Sequence, residues 1–71
     1  MNDSLRREMG EAISAARKLA CARRELELRR RAYRRWVEQG RLTKDRAAEE
    51  IRCMQAIVDD YEALVKKELL I

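Results

Sequence analysis

The sequence predicts an all-α protein, an antiparallel hairpin of two long, coiled-coil-like helices that we expect to dimerise into a four-helix bundle. Three observations predict this fold. The 71 residues include no proline and only two glycines, so little in the chain interrupts a helix. Apolar residues recur at alternating steps of three and four in both halves of the chain, as in a heptad repeat. Gly40 separates the two repeats.

The first helix is predicted over about residues 4–39. Asp3 or Ser4 can cap its start, because a short polar side chain there accepts a hydrogen bond from an unpaired backbone N–H. Gly10 costs about 1 kcal/mol in a helix interior and is tolerated there. Gly40 fits the left-handed residue that commonly follows a helix C-terminus.

A turn over residues 40–43 and a second helix over about residues 44–70 follow. Thr43 is a suitable N-cap, and Asp45 places a negative charge in the first turn, where the helix dipole favours it. Helices joined by so short a turn pack as antiparallel neighbours. The sequence therefore predicts one domain that spans residues 1–71.

The two apolar stripes meet when the chain folds at Gly40, and they predict the core of the hairpin or of its dimer. The predicted core residues are Leu19, Leu26, Tyr33, Val37, Ile51, Met54, Val58, Tyr61 and Val65. A two-helix hairpin leaves one side of each stripe uncovered, and a chain this short buries a small fraction of its surface. Both considerations favour a homodimer.

Arginine is the most prominent residue of the first half of the chain, and the net charge is +4. On a helical wheel Arg17, Arg24, Arg31 and Arg35 lie away from the apolar stripe. We interpret these four residues as partner-binding, together with Trp36 on the flank of the helix, since Trp and Arg are enriched at protein interfaces. The alternatives are a solvated helix face for the arginines, contact with nucleic-acid phosphates, and a capping role for Trp36 over the turn.

Two further arginines occupy heptad positions inside the apolar stripe. A charge at such a position needs a partner, because an unpaired buried charge is costly. Folding at Gly40 brings Arg23 towards Asp60 and Arg30 towards Glu50. The sequence therefore predicts two buried ion pairs, Arg23–Asp60 and Arg30–Glu50, within the hairpin or across a dimer.

Residues with catalytic or metal-binding chemistry are sparse. The chain has no histidine, and its two cysteines cannot form a closed zinc site without other ligands. We therefore expect no enzymatic activity, no cofactor and no metal. No apolar run approaches the length of a membrane span, and the N-terminus lacks the pattern of a signal peptide, so we expect a cytoplasmic protein without membrane association.

The segment from Arg30 to Thr43, followed by Ala47, Ala48, Ile51, Met54, Ile57, Asp60 and Tyr61, resembles short uncharacterised helical-hairpin proteins of tailed phages and bacterial prophages. This resemblance implies an accessory protein in the cytoplasm of a bacterial host cell. It favours a non-enzymatic interaction module, such as an inhibitor or adaptor that binds a host protein. A small basic nucleic-acid-binding dimer and a structural or assembly protein of the phage are the alternatives.

Overall fold

The computed structural model describes residues 12–70, which form two helices and contain no strand. Helix α1 spans Ala15–Glu38, and helix α2 spans Lys44–Leu69. The two helices are antiparallel neighbours, since Arg23 contacts Glu62 and Arg30 contacts Gln55. The described part of the chain is therefore an all-helical hairpin.

Helix α1 begins much later than the sequence prediction of about residue 4. The backbone of Ser14 is extended, and its Oγ accepts a hydrogen bond of 3.1 Å from the N–H of Arg17. This is the geometry of an N-cap, in which a side chain replaces the missing intrahelical acceptor. Ala12 and Ile13 precede the cap and are not helical. The predicted helical residues 4–11, with the caps Asp3 and Ser4, lie outside the described residues.

The chain leaves α1 through a Schellman motif. Gly40 has a φ of 73°, in the left-handed region that favours glycine. The N–H of Arg41 donates to the carbonyl of Trp36 at 2.8 Å, and the N–H of Gly40 donates to that of Val37 at 3.0 Å. These two bonds satisfy carbonyls that the helix end leaves without partners.

Helix α2 begins at an N-cap provided by Thr43, whose Oγ1 accepts a hydrogen bond of 3.1 Å from the N–H of Arg46. Asp45 lies in the first turn, and Lys66 and Lys67 lie in the last turn, so the charges at both ends suit the helix dipole. The helix ends at Leu69, one residue before the sequence-based bound.

The core is small and lies half-way along the hairpin. It is a cluster of buried Leu19, Ala22, Leu26, Met54 and Val58, and Val58 is the least exposed at 2%. Of the other residues predicted as core, Ile51, Tyr61 and Val65 are half-buried and pack against this cluster. Tyr33 and Val37 are half-buried and line an open groove at the turn end. On the α2 side, the short side chains of Ala47 and Ala48 line the groove beside Ile51, and they leave much of the space next to Tyr33 and Val37 unfilled.

Residues 12–70 form a single layer of helices. Its Cα atoms span only 13 Å along the shortest axis. Folded domains bury their apolar surface between at least two packed layers. The hairpin therefore has two broad faces whose apolar side chains no other described segment covers.

Candidate interaction surfaces

Contacts between the helices identify the two faces of the hairpin. On one face, Arg23 pairs with Glu62 at 3.0 Å, and Arg30 donates to Gln55 at 3.1 Å. On the other, the ammonium group of Lys18 lies 5.9 Å from the ring centre of Tyr61. The first face is polar over most of its length, whereas the second combines charged residues of α1 with apolar residues of α2.

The ion pairs of Arg23 and Arg30 differ from the prediction. Arg23 pairs with Glu62 rather than Asp60, and 58% of its side chain is exposed. Arg30 pairs with Glu27 of its own helix at 2.9 Å, and 45% of its side chain is exposed. Both positions lie at the edge of the helix contact rather than inside it, so the long side chains extend to solvent and need no buried partner.

Glu50, the predicted partner of Arg30, instead links two other arginines. Its carboxylate lies 3.3 Å from the guanidinium of Arg46 and 3.8 Å from that of Arg29. Arg29 also forms a pair of 3.0 Å with Glu25. This hydrogen bond from Arg29 to Glu25 raises the pKa of the Arg29 guanidinium, because it favours the charged form of the arginine.

The face that carries Tyr61 is the apolar one, and we call it the Tyr61 face. It comprises Lys18, Glu25 and Arg29 of α1 and Ile57, Tyr61 and Leu64 of α2. Ile57 is 39% exposed and Leu64 is 41% exposed, although neither lies at a helix end. These residues lie at steps of four and three, so they form one continuous stripe along α2.

Four arginines form a line on the outer side of α1, away from α2, and we call it the arginine ridge. Arg17, Arg24, Arg31 and Arg35 are all exposed. None of them forms an ion pair with another residue of the described range 12–70. The ridge extends over about 27 Å, because 18 residues of helix separate its ends. Arg34 and Glu38 border its C-terminal part.

Leu28 lies within the ridge and is 53% exposed. Sequence reasoning missed it, because it falls off the apolar stripe that defines the core. The sequence nevertheless contains a pattern that places Leu28 on this line. Arg17, Cys21, Arg24, Leu28, Arg31 and Arg35 are spaced four, three, four, three and four residues apart, which is a second heptad line on the same helix. The ridge is therefore a charged line with an apolar residue near its middle.

Trp36 lies at the turn end of α1. Its ring centre is 5.5 Å from that of Tyr33, and the guanidinium of Arg41 lies 5.8 Å from the Trp36 ring. The ring is 37% exposed. Trp36 thus packs beside the turn, as in the capping interpretation, while enough of its surface stays exposed for the anchoring interpretation.

The open groove at the turn end has a volume of about 490 Å³. Tyr33, Val37, Ala47 and Ile51 form its apolar floor. Arg30, Arg34, Glu38 and Lys44 contribute charges to its lining. It is a surface feature of the polar face and lies apart from the Tyr61 face.

Both cysteines of the described range have free, exposed thiols. Residues 12–70 include no cluster of three or more His, Cys, Asp or Glu side chains able to hold a metal ion. Within that part of the chain, neither helix has a stretch long and apolar enough to cross a bilayer.

Comparisons with known proteins add no relative. No family model matches the chain, and no curated protein and no solved structure is significantly similar to it.

Proposed function

We propose that the chain is a non-enzymatic protein-interaction module, a homodimer of helical hairpins whose arginine ridges bind a host protein. The observation that carries this proposal is the exposed apolar surface of a one-layer fold, with Ile57 and Leu64 on one face and Leu28 on the outer side of α1. Isolated exposed apolar residues are ordinary in soluble proteins, but residues aligned at heptad spacing are typical of helix-packing surfaces.

The small core supports the homodimer. No side chain of the described residues is less than 2% exposed, and six apolar residues make up the buried set. Domains of this size usually need an additional source of stability, and oligomerisation is one of the common sources. Two hairpins packed face to face would supply the missing second layer and produce a four-helix bundle.

The arginine ridge supports a second protein as partner. Arg and Trp carry much of the binding energy at protein interfaces, because their large side chains combine apolar area with hydrogen-bond donors. The ridge has four guanidinium groups without acidic partners in residues 12–70, and Leu28 supplies an apolar contact between them. Such a surface fits a helix or groove that carries carboxylates around an apolar residue. Trp36 lies on the same side of α1 as Glu25 and Arg29 and offers a separate anchor at the turn end.

A module without catalytic groups acts by occupying a surface of its partner. The resemblance to short phage and prophage proteins favours an inhibitor or adaptor in the cytoplasm of a bacterial cell. A host protein with an acidic surface is therefore the partner that we propose. Binding would be steered by the net positive charge and weakened by salt.

The experiment compares two variants that remove the same charge. Arg24→Ala/Arg31→Ala/Arg35→Ala eliminates most of the ridge, and Arg52→Ala/Lys66→Ala/Lys67→Ala eliminates three exposed cations of α2. Each tagged protein is used to capture partners from nuclease-treated bacterial lysate. We expect one stoichiometric partner with the unmodified chain and with the α2 variant, and its loss with the ridge variant. Equal capture by both variants would refute a role for the ridge.

Nucleic-acid binding is the second candidate, and the ridge favours it because its four guanidinium groups form no ion pair with any residue from 12 to 70. A protein that neutralises several phosphates loses affinity steeply with salt, because each contact releases a bound counterion. Mobility-shift assays with a duplex at low and moderate salt test this candidate. If the duplex binds tightly with a steep salt dependence, and the ridge variant does not bind it, nucleic acid would be the partner instead of a host protein.

A further inference from the structure

We infer that a second copy of the chain covers the Tyr61 face, around a two-fold axis that crosses α2 near Tyr61 and α1 near Ala22. This inference rests on the proposed homodimer, and it specifies the buried surface and the orientation of the two hairpins. In this arrangement each helix packs antiparallel against the same helix of the other copy.

The apolar stripe of α2 is self-complementary about Tyr61. In an antiparallel pair, residues equally distant from the centre lie opposite each other. A centre at or just before Tyr61 places Ile57 of one copy opposite Leu64 of the other, and the same contact occurs twice. The two side chains are 39% and 41% exposed in the single hairpin, so both have surface left to bury.

The position of the axis on α1 follows from contacts inside the hairpin. Lys18 lies over the ring of Tyr61, and Arg23 reaches Glu62, the next residue of α2. The level of Tyr61 on α1 therefore lies between Lys18 and Arg23. Ala20 and Cys21 occupy the middle of this interval, about one residue from the point between Cys21 and Ala22.

Charge complementarity then favours the second copy as the occupant. With the axis between Cys21 and Ala22, Lys18 and Glu25 are equally distant from it. Lys18 of each copy therefore faces Glu25 of the other, which gives two ion pairs of opposite charge. In the single hairpin Glu25 binds Arg29 through its Oε1 atom, and its second carboxylate oxygen has no hydrogen bond to any other described residue.

The other face-to-face arrangement matches poorly. An axis parallel to the helices would place α1 of one copy against α2 of the other. Lys18 and Glu25 would then lie opposite the apolar residues Leu64 and Ile57, and these charges would be desolvated without partners. The antiparallel arrangement instead places apolar residues against apolar residues and opposite charges against each other.

The interface is of modest size. About this axis α1 overlaps its copy over residues 15–28, a length of about 21 Å, and α2 overlaps its copy over residues 52–69, a length of about 27 Å. Each helix is about 10 Å wide, so the footprint is about 500 Å² on each copy, which is below the usual size for specific complexes and typical of weak ones. We therefore expect a weak, reversible dimer. Its contact surface leaves the arginine ridge and Trp36 free for another partner.

The native cysteines test the orientation. Cys21 lies beside the axis, so the two Cys21 thiols are expected within roughly 10 Å of each other across packed helices. Cys53 is about eight residues from the axis on α2, which separates the two Cys53 thiols by about 20 Å or more. A short bismaleimide should cross-link the unmodified chain and the Cys53→Ser variant into dimers. The Cys21→Ser variant should remain uncross-linked.

The charge pairs test the register. We expect Lys18→Glu or Glu25→Lys alone to raise the dimer dissociation constant about tenfold, because each substitution opposes like charges at two symmetric sites. The double variant Lys18→Glu/Glu25→Lys restores both pairs and should return the constant to within a few-fold of the original. Sedimentation equilibrium over a range of protein concentrations measures all four constants.

The outcomes separate this inference from the proposed function. A dimer that cross-links through Cys53, or that the charge swap does not restore, would overturn the orientation and leave the homodimer in place. A single-chain mass at every concentration up to the millimolar range would overturn the inference together with the homodimer. Binding of the host partner is measured separately by the ridge variants.

Discussion

Leu26 and Leu28 provide a matched pair for testing where the stability of the hairpin arises. They lie two residues apart in α1, and their side chains are 5% and 53% exposed respectively. Replacing either leucine by alanine removes the same atoms and slightly raises helix propensity. The difference between the two variants therefore isolates the packing of Leu26 in the core cluster.

The loss of stability expected for Leu26→Ala is large relative to the total unfolding free energy of the hairpin. A chain of this length has a total unfolding free energy of about 4–10 kcal/mol. Leu→Ala at a buried site costs about 2–5 kcal/mol, and the lower half of this range applies here because two thin, exposed helices can relax around the cavity. We expect Leu26→Ala to cost about 2–3 kcal/mol and to lower the melting temperature by about 10–20 °C. Leu28→Ala should change stability by less than about 1 kcal/mol.

Urea and thermal unfolding followed by circular dichroism at 222 nm measure both variants. All samples need the same protein concentration, because self-association makes the midpoint depend on concentration. If Leu28→Ala proved as destabilising as Leu26→Ala, the cluster of buried residues would not be the main source of stability. Repeating the comparison at a tenfold higher concentration would then show whether the ridge is itself packed in an oligomer.

Three further predictions concern single features of the hairpin, and the same unfolding assays check them. Gly40→Ala should cost about 1–2 kcal/mol, because the φ of 73° is unfavourable for alanine although a Cβ atom would meet nothing within 4 Å. A smaller loss for Gly40→Asn is expected, and equal losses would argue against a backbone cause. Thr43→Ala and Ser14→Ala should each cost about 1 kcal/mol, because each removes an N-cap. Ser14→Gly should cost only a few tenths of a kcal/mol, and an equal loss for both Ser14 variants would contradict this account. Glu62→Gln should change stability by less than about 0.5 kcal/mol, since the Arg23–Glu62 pair is exposed and screened; a loss above 1 kcal/mol would show that the pair orders the two helices.

Much of the hairpin follows from local chemistry that the sequence displays. Gly40 and Thr43 mark the end of one helix and the start of the next, because a left-handed residue and an N-cap are requirements of one or two positions. The start of α1 was harder to predict. Asp3, Ser4 and Ser14 are all acceptable caps, and local preference alone does not choose among them. Ser14 lies near the point where α1 no longer has α2 opposite it, and helices in proteins gain most of their stability from such packing.

The surface was predicted less well than the core stripe, for reasons of side-chain length. The heptad pattern gives the direction of each residue, but a long arginine can reach several partners from one position. At the edge of the helix contact Arg23 therefore pairs with Glu62, and Arg30 pairs with Glu27, instead of with the expected carboxylates. Tyr33 and Val37 point towards α2 as the pattern indicates, yet the alanines opposite them are too short to close the space. The burial of a side chain depends on the size of the residues opposite it, whereas the periodicity of a helix shows only the direction in which the side chain points.

The open groove at the turn has a consequence for how the chain folds. When a hairpin folds outwards from its loop, each successive contact between the helices lowers the free energy. In this chain the contacts nearest the loop exclude little water, because they surround an open groove. The first well-packed layer joins Leu26 to Met54, and closing a segment of that length costs about 1 kcal/mol more than closing a ten-residue loop. Much of both helices must therefore form before the burial of apolar side chains offsets the loss of chain entropy. Helix-stabilising substitutions between these two residues should accelerate folding, whereas larger side chains that fill the groove should mainly slow unfolding.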